Sequence, residues 1–269
     1  MTQPDQTPSQ ATPTTVASSP VAHEMQKIGN DLVLSFMALR QFLGYLGLLL
    51  PVSLLIYATA SGRGLEPSIS DFYYSPMGDV LVGILSAIGV FFLCYKGFKP
   101  LNGEWITDRR VSLVAGVSVL GVAMFPVHRT GQPPCLPHLP DCITFGASGH
   151  PNLVHFGSAA LFFVSLALFC LVLFTRGDRR PDGRLIWTPR NMFYTACGII
   201  IAGALLALLP YVAGSIPFRA RLDAINYVFW CETAGVLAFA ASWLVKGRAL
   251  DTLKDVGAKV SESLNTPGS

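Results

Sequence analysis

The sequence predicts an all-α fold, a bundle of six transmembrane helices. Three observations carry this. Of 269 residues, 51% are hydrophobic and 13% charged, against about 25% charged in an average soluble domain; the mean hydropathy is +0.49. Six apolar segments each approach the roughly 17–25 residues that cross a bilayer. The basic residues fall unevenly between the loops those segments leave, as Lys and Arg do when they set membrane orientation.

Taken in order, residues 1–24 are rich in Pro, Thr, Ser and Gln. They lack the apolar content that offsets ordering entropy and read as a disordered polar tail. No secretory signal peptide is expected, because the first apolar run follows this polar tail and no small-residue cleavage site follows the run. Residues 25–247 read as the membrane domain. Met25, Ile28, Leu32, Phe36 and Leu39 recur at helical spacing. They suit either an interfacial amphipathic helix or an inner extension of the first span.

The spans are expected near residues 42–60, 78–98, 111–127, 153–174, 192–213 and 224–245, with Pro51 kinking the first. Residues 248–269 read as a polar tail. Small residues recur every four positions at Gly83 and Ala87, at Gly198 and Ala202, and at Ala234, Ala238 and Ser242. That spacing lets helices approach closely, within the bundle or across a homo-oligomer face.

This topology divides the 19 Lys and Arg residues sharply. Arg63, Arg129, Arg219 and Arg221 lie on one side, and all the others, among them Arg40, Lys96, Arg109 and Lys246, on the opposite side. The basic side is cytoplasmic by the positive-inside rule, so both termini are expected in the cytoplasm of a bacterial inner-membrane protein. The lipid bilayer is the first partner implied. No nucleic-acid partner is expected.

The candidate functional residues gather on the outer side. The run P-S-I-S-D-F-Y-Y-S-P-M-G-D from Pro67 to Asp79 sets hydroxyls, two tyrosines, Asp71 and Asp79 directly against an apolar span. Such groups must face water, protein or a ligand, because hydrocarbon offers them no partner. Glu232 is expected about eight residues into the sixth span, roughly 12 Å deep. Burying an ionised carboxylate there costs roughly 2.5–3.5 kcal/mol, so it is expected to find a partner; His155, His128 and Asp79 are the candidates.

Glu232, Asp79 and His155 are the catalytic candidates. Ser70, Asp71, Tyr73, Arg219 and Arg221 are candidates for holding a lipid headgroup or small ligand, although the two arginines also suit pairing with Asp223, Asp71 or Asp79. His128, His155 and Glu232 form a candidate metal set, with a divalent ion such as zinc. No H-E-x-x-H or C-x-x-C spacing supports such a site. Cys135 and Cys142, in a proline-rich outer loop, are expected to form a structural disulfide.

The run S-I-S-D-F-Y-Y-S-P-M-G-D-V-L-V-G-I-L, together with H-F-G-S-A-A-L-F-F around His155 and W-C-E-T-A-G-V-L-A-F-A-A-S-W-L-V-K-G around Glu232, resembles a group of uncharacterised bacterial integral membrane proteins. The resemblance spans about residues 40–247. It implies no activity, but it places Ser70, Asp79, His155 and Glu232 inside the recognisable blocks. A more distant similarity is to membrane hydrolases such as alkaline ceramidases and adiponectin-receptor-like proteins, which hold zinc with Ser, His, Asp and a His-x-x-x-His pair on seven helices. This chain has six expected spans and no His-x-x-x-His. The expectation is therefore an outward-facing polar pocket binding a lipid headgroup or small ligand. The alternative is a metal-dependent hydrolase acting on lipids near the outer leaflet.

Overall fold

A computed structural model describes residues 20–98, 103–127, 151–176 and 186–247. The regular structure among these residues is all helical. Helix α1 (Pro20–Ala60) runs without interruption through Pro51 and takes in both the segment around residues 25–39 and the first expected span. After a loop and a 3₁₀ turn (Ser70–Tyr74) come α2 (Gly78–Cys94) and α3 (Asp108–Met124). Helix α4 (Pro151–Leu168) continues into a π-helical segment (Phe169–Leu173), where the Phe174 N–H donates to the Phe169 carbonyl at 2.8 Å. Then follow α5 (Pro189–Ala207), α6 (Leu209–Ala213), α7 (Ile216–Asp223) and α8 (Tyr227–Lys246).

Four segments among the described residues are long and apolar enough to cross a membrane: Ser35–Ala60, Leu153–Leu173, Pro189–Ala213 and Tyr227–Lys246. Helices α2 and α3 have 17 residues each, about 25 Å at 1.5 Å per residue against a hydrocarbon core of about 30 Å. Helix α3 also opens with three charged residues, Asp108, Arg109 and Arg110. A count of six crossings therefore does not follow from helix length and apolarity alone.

The helices pack as a closed bundle in which α1 meets α8, α8 meets α5, α5 meets α4, α4 meets α3, α3 meets α2, and α2 returns to α1. Glycines allow close approaches at several of these seams. A Cβ on Gly44 of α1 would come within 2.6 Å of the Leu244 side chain on α8, and one on Gly116 of α3 within 3.0 Å of the Gly89 carbonyl on α2. Trp243 is the hub of the interior: its ring meets those of Phe91, Phe92, Tyr95, Phe169, Phe174 and Phe239 at 5.2–6.3 Å between centroids. The outward faces remain apolar, with Val117 65% and Ile199 62% exposed. Helices with apolar side chains on both their inner and outer faces point to membrane embedding.

The two ends of the bundle differ in chemistry. One end is cationic and tied down by long side chains. Arg40 donates to the Tyr95 hydroxyl at 2.9 Å, Arg176 pairs with Glu104 at 2.9 Å, and Lys246 reaches the Phe174 carbonyl at 3.4 Å. The other end carries the 3₁₀ turn, the start of α2, the end of α3, and the starts of α4 and α8. The candidate residues meet there.

Candidate functional site

The loop before the 3₁₀ turn is anchored to α8 by its backbone. The Phe229 N–H donates to the Pro67 carbonyl at 2.9 Å, and the Ile69 N–H donates to Glu232 Oε2 at 2.7 Å. Ile69 is the residue that caps the turn, so the Glu232 carboxylate accepts from an N–H at the start of a helix, where the backbone leaves donors unpaired. Glu232 lies in the second turn of α8, shallower than its expected eight residues, because Asn226 adopts a left-handed conformation (φ 52°) and delays the helix to Tyr227. Its observed partner is this backbone donor rather than a second titratable side chain.

The turn is fixed again from within. Ser68 Oγ accepts from the Asp71 N–H at 3.1 Å and donates to Asp71 Oδ2 at 2.8 Å. This reciprocal pairing across three residues is close to a capping box. Phe72 is fully buried and packs on Phe229 at 6.0 Å between ring centroids, while the Tyr74 hydroxyl donates to the Val127 carbonyl at 2.8 Å. The turn is thus held by α8 on one side and the end of α3 on the other.

That placement brings Ser70 to His155. His155 is in the second turn of α4, only 3% exposed. Its Nδ1 lies 2.6 Å from the Phe125 carbonyl oxygen and its Nε2 lies 3.0 Å from Ser70 Oγ. A carbonyl only accepts, so Nδ1 carries the proton; in the neutral ring Nε2 is then the acceptor for the Ser70 hydroxyl. The order is hydroxyl, imidazole, fixed acceptor, with members drawn from the 3₁₀ turn, α4 and the end of α3.

Ser70 and His155 share a cleft with Tyr73, Leu81, Val82, Leu85, Val122, Ala123 and Pro126. Its volume is about 220 Å³ counted to the open mouth, and its interior is hardly wider than a water molecule. Three polar side chains stand over an apolar floor given by α2 and α3. Burial, and then the charge of nearby Asp79, raise the Tyr73 phenol above its ordinary range, so it remains a neutral O–H at physiological pH.

The other expected residues do not line the cleft. Asp79 is exposed in the first turn of α2, a position that favours an acidic side chain. Asp71 is engaged by Ser68. Arg219 and Arg221 lie exposed on α7, and neither makes an ion pair among the described residues. His128, Cys135 and Cys142 lie outside the described residues, and Cys94, Cys170, Cys197 and Cys231 are free thiols. Among the described residues no three His, Cys, Asp or Glu side chains are placed to hold a metal ion. Both ring nitrogens of His155 are engaged and Glu232 accepts from the Ile69 N–H; the third member of the expected metal set, His128, lies outside the described residues.

Sequence reasoning singled out Ser70, His155 and Glu232 but not what joins them. Two of the connecting groups, the Phe125 carbonyl and the Ile69 N–H, belong to the backbone. The S-x-x-D spacing of Ser68 and Asp71 was the available signal for the turn. No family model, curated protein or solved structure matches the chain.

Proposed function

We propose that this chain is a multi-pass protein of a bacterial inner membrane, with six crossings and both termini cytoplasmic. Its cleft faces outward and binds the polar end of a lipid or small ligand. The make-up of the cleft carries the binding reading: Ser70, Tyr73 and His155 converge over an apolar floor. Concave sites with a few placed polar groups above apolar walls are the usual form of small-ligand sites. The cleft admits one polar atom, such as an ester carbonyl or hydroxyl oxygen, and the bulk of a headgroup would stay outside it.

Two further observations support the topology. Helices α2 and α3 connect the same two ends as the four longer segments, which supports a count of six. Arg40, Lys96, Arg109, Arg110, Arg176, Arg190 and Lys246 lie toward the end opposite the cleft, against Arg63, Arg219 and Arg221 at the cleft end.

Ligand binding is tested by the melting temperature of detergent-purified protein during titration with short-chain phospholipids and small esters. Wild type is expected to show a saturable rise. Val82→Phe, which fills the cleft from its wall, is expected to show none. The absence of any saturable shift in wild type would remove the binding reading.

A further inference from the structure

We infer that Ser70 and His155 form a nucleophile–base pair, and that the cleft performs acyl transfer on carboxylic esters. The inference rests on the binding reading only in using the same cleft. The geometry supplies the three parts that an activated hydroxyl requires: a nucleophile, a base within hydrogen-bond reach, and a third group that orients the base. Ser70 Oγ is 3.0 Å from His155 Nε2, and His155 Nδ1 is 2.6 Å from the Phe125 carbonyl. The carbonyl holds the proton on Nδ1 and so keeps the Nε2 lone pair on the hydroxyl, the orienting part of what a carboxylate does in a Ser–His–Asp triad.

The surroundings agree with this assignment. A histidine needed only to fill a helix mouth would not require a hydroxyl on a separate element to be pinned against it by three tethers. Here Glu232, Pro67 and Ser68 each fix the backbone that carries Ser70. Ser70 is half-buried and lines the cleft, so an ester carbonyl entering there meets Oγ while water access stays narrow. Tyr73 lines the same cleft with a neutral O–H, a donor for the oxygen on which charge develops.

The reaction balances with water as the sole co-reactant. Ser70 Oγ attacks the ester carbonyl carbon, its proton passes to His155 Nε2, and the C=O electron pair moves onto oxygen. Collapse re-forms the carbonyl and breaks the bond to the alkoxy group, which leaves as the alcohol with the proton from Nε2. Water then attacks the acyl-Ser70 ester, gives its proton to Nε2, and releases the carboxylic acid as Ser70 Oγ recovers that proton.

The test is covalent labelling of the purified full-length chain with an alkyl fluorophosphonate, followed by peptide mapping, beside p-nitrophenyl butyrate hydrolysis. Wild type is expected to carry the phosphonyl group on Ser70, and Ser70→Ala to lose both labelling and hydrolysis. His155→Gln is expected to label about 100-fold or more slowly, the usual contribution of a general base. The wild-type map needs no variant to fold. Should folded wild type leave Ser70 unmodified, or His155→Gln label at the wild-type rate, the pair is structural and the inference is overturned. Titrating the short-chain ligands against wild type separates the two readings: a saturable thermal shift without labelling of Ser70 would sink the chemistry and leave the binding intact.

Discussion

Glu232 and Ile69 are 163 positions apart, yet the 2.7 Å bond between them decides where Ser70 sits. The carboxylate could be singled out in the sequence because an acid inside an apolar span is costly without a partner. Its partner could not, since a backbone N–H has no letter of its own and any loop residue offers one. This bond makes a prediction with two arms. Glu232→Gln keeps a carbonyl oxygen for the Ile69 N–H and is expected to cost under about 1 kcal/mol. Glu232→Leu leaves that donor unsatisfied and is expected to cost about 1–3 kcal/mol, read as a lower melting temperature in detergent. Equal stability of the two variants would mean that the bond does not hold the loop. His155 was legible in the same partial way. Its type and its place near a helix mouth were visible; the Phe125 carbonyl that sets its tautomer was not.

At the scale of elements, the apolar segments were readable from length and hydropathy, and their ends were less so. Pro51 was expected to kink the first span, and α1 runs on past it as one helix. Pro210 was not flagged, yet α5 ends at Ala207 and a separate short helix starts at Leu209. A proline donates no N–H and its ring crowds the carbonyl four residues earlier, here that of Leu206. Which proline breaks a helix depends on the packing around it, and a sequence does not display that. The small-residue spacings were visible as a class, and the structure sorts them. Gly198 packs inside the bundle against Leu171 and Cys170, whereas a Cβ on Gly83 would meet nothing within 4 Å. Gly116, where α3 approaches the backbone of α2, belongs to none of those spacings. Gly116→Ala sets a methyl group 3.0 Å from the Gly89 carbonyl and the Leu93 side chain. It is expected to lower stability by about 1–3 kcal/mol through overpacking. Gly83→Ala is the control, expected to be neutral or to gain up to about 1 kcal/mol of helix propensity. Similar melting temperatures for the two would mean that α2 and α3 do not meet as closely as described.

For the whole molecule, orientation decides whether the cleft opens to the outside or to the cytoplasm, and here charge and helix geometry can be set against each other. The cationic end is bound together by Arg40–Tyr95, Arg176–Glu104 and Lys246–Phe174 contacts, so part of its charge has a structural use beyond setting topology. Topology still follows the Lys and Arg near span ends, paired or not, because the bias acts during insertion, before the bundle packs. The prediction is therefore that single cysteines placed in a background without the six native ones will report opposite sides. Ser61→Cys, exposed beside the cleft end, should react with a membrane-impermeant maleimide in right-side-out vesicles. Trp105→Cys, 82% exposed near the cationic end, should react only after permeabilisation. The reverse pattern would turn the cleft to the cytoplasm and move its ligands to the inner leaflet. Reaction of both in sealed vesicles would mean that α2 and α3, each 17 residues long, do not both carry the chain across, and the count of crossings would fall below six.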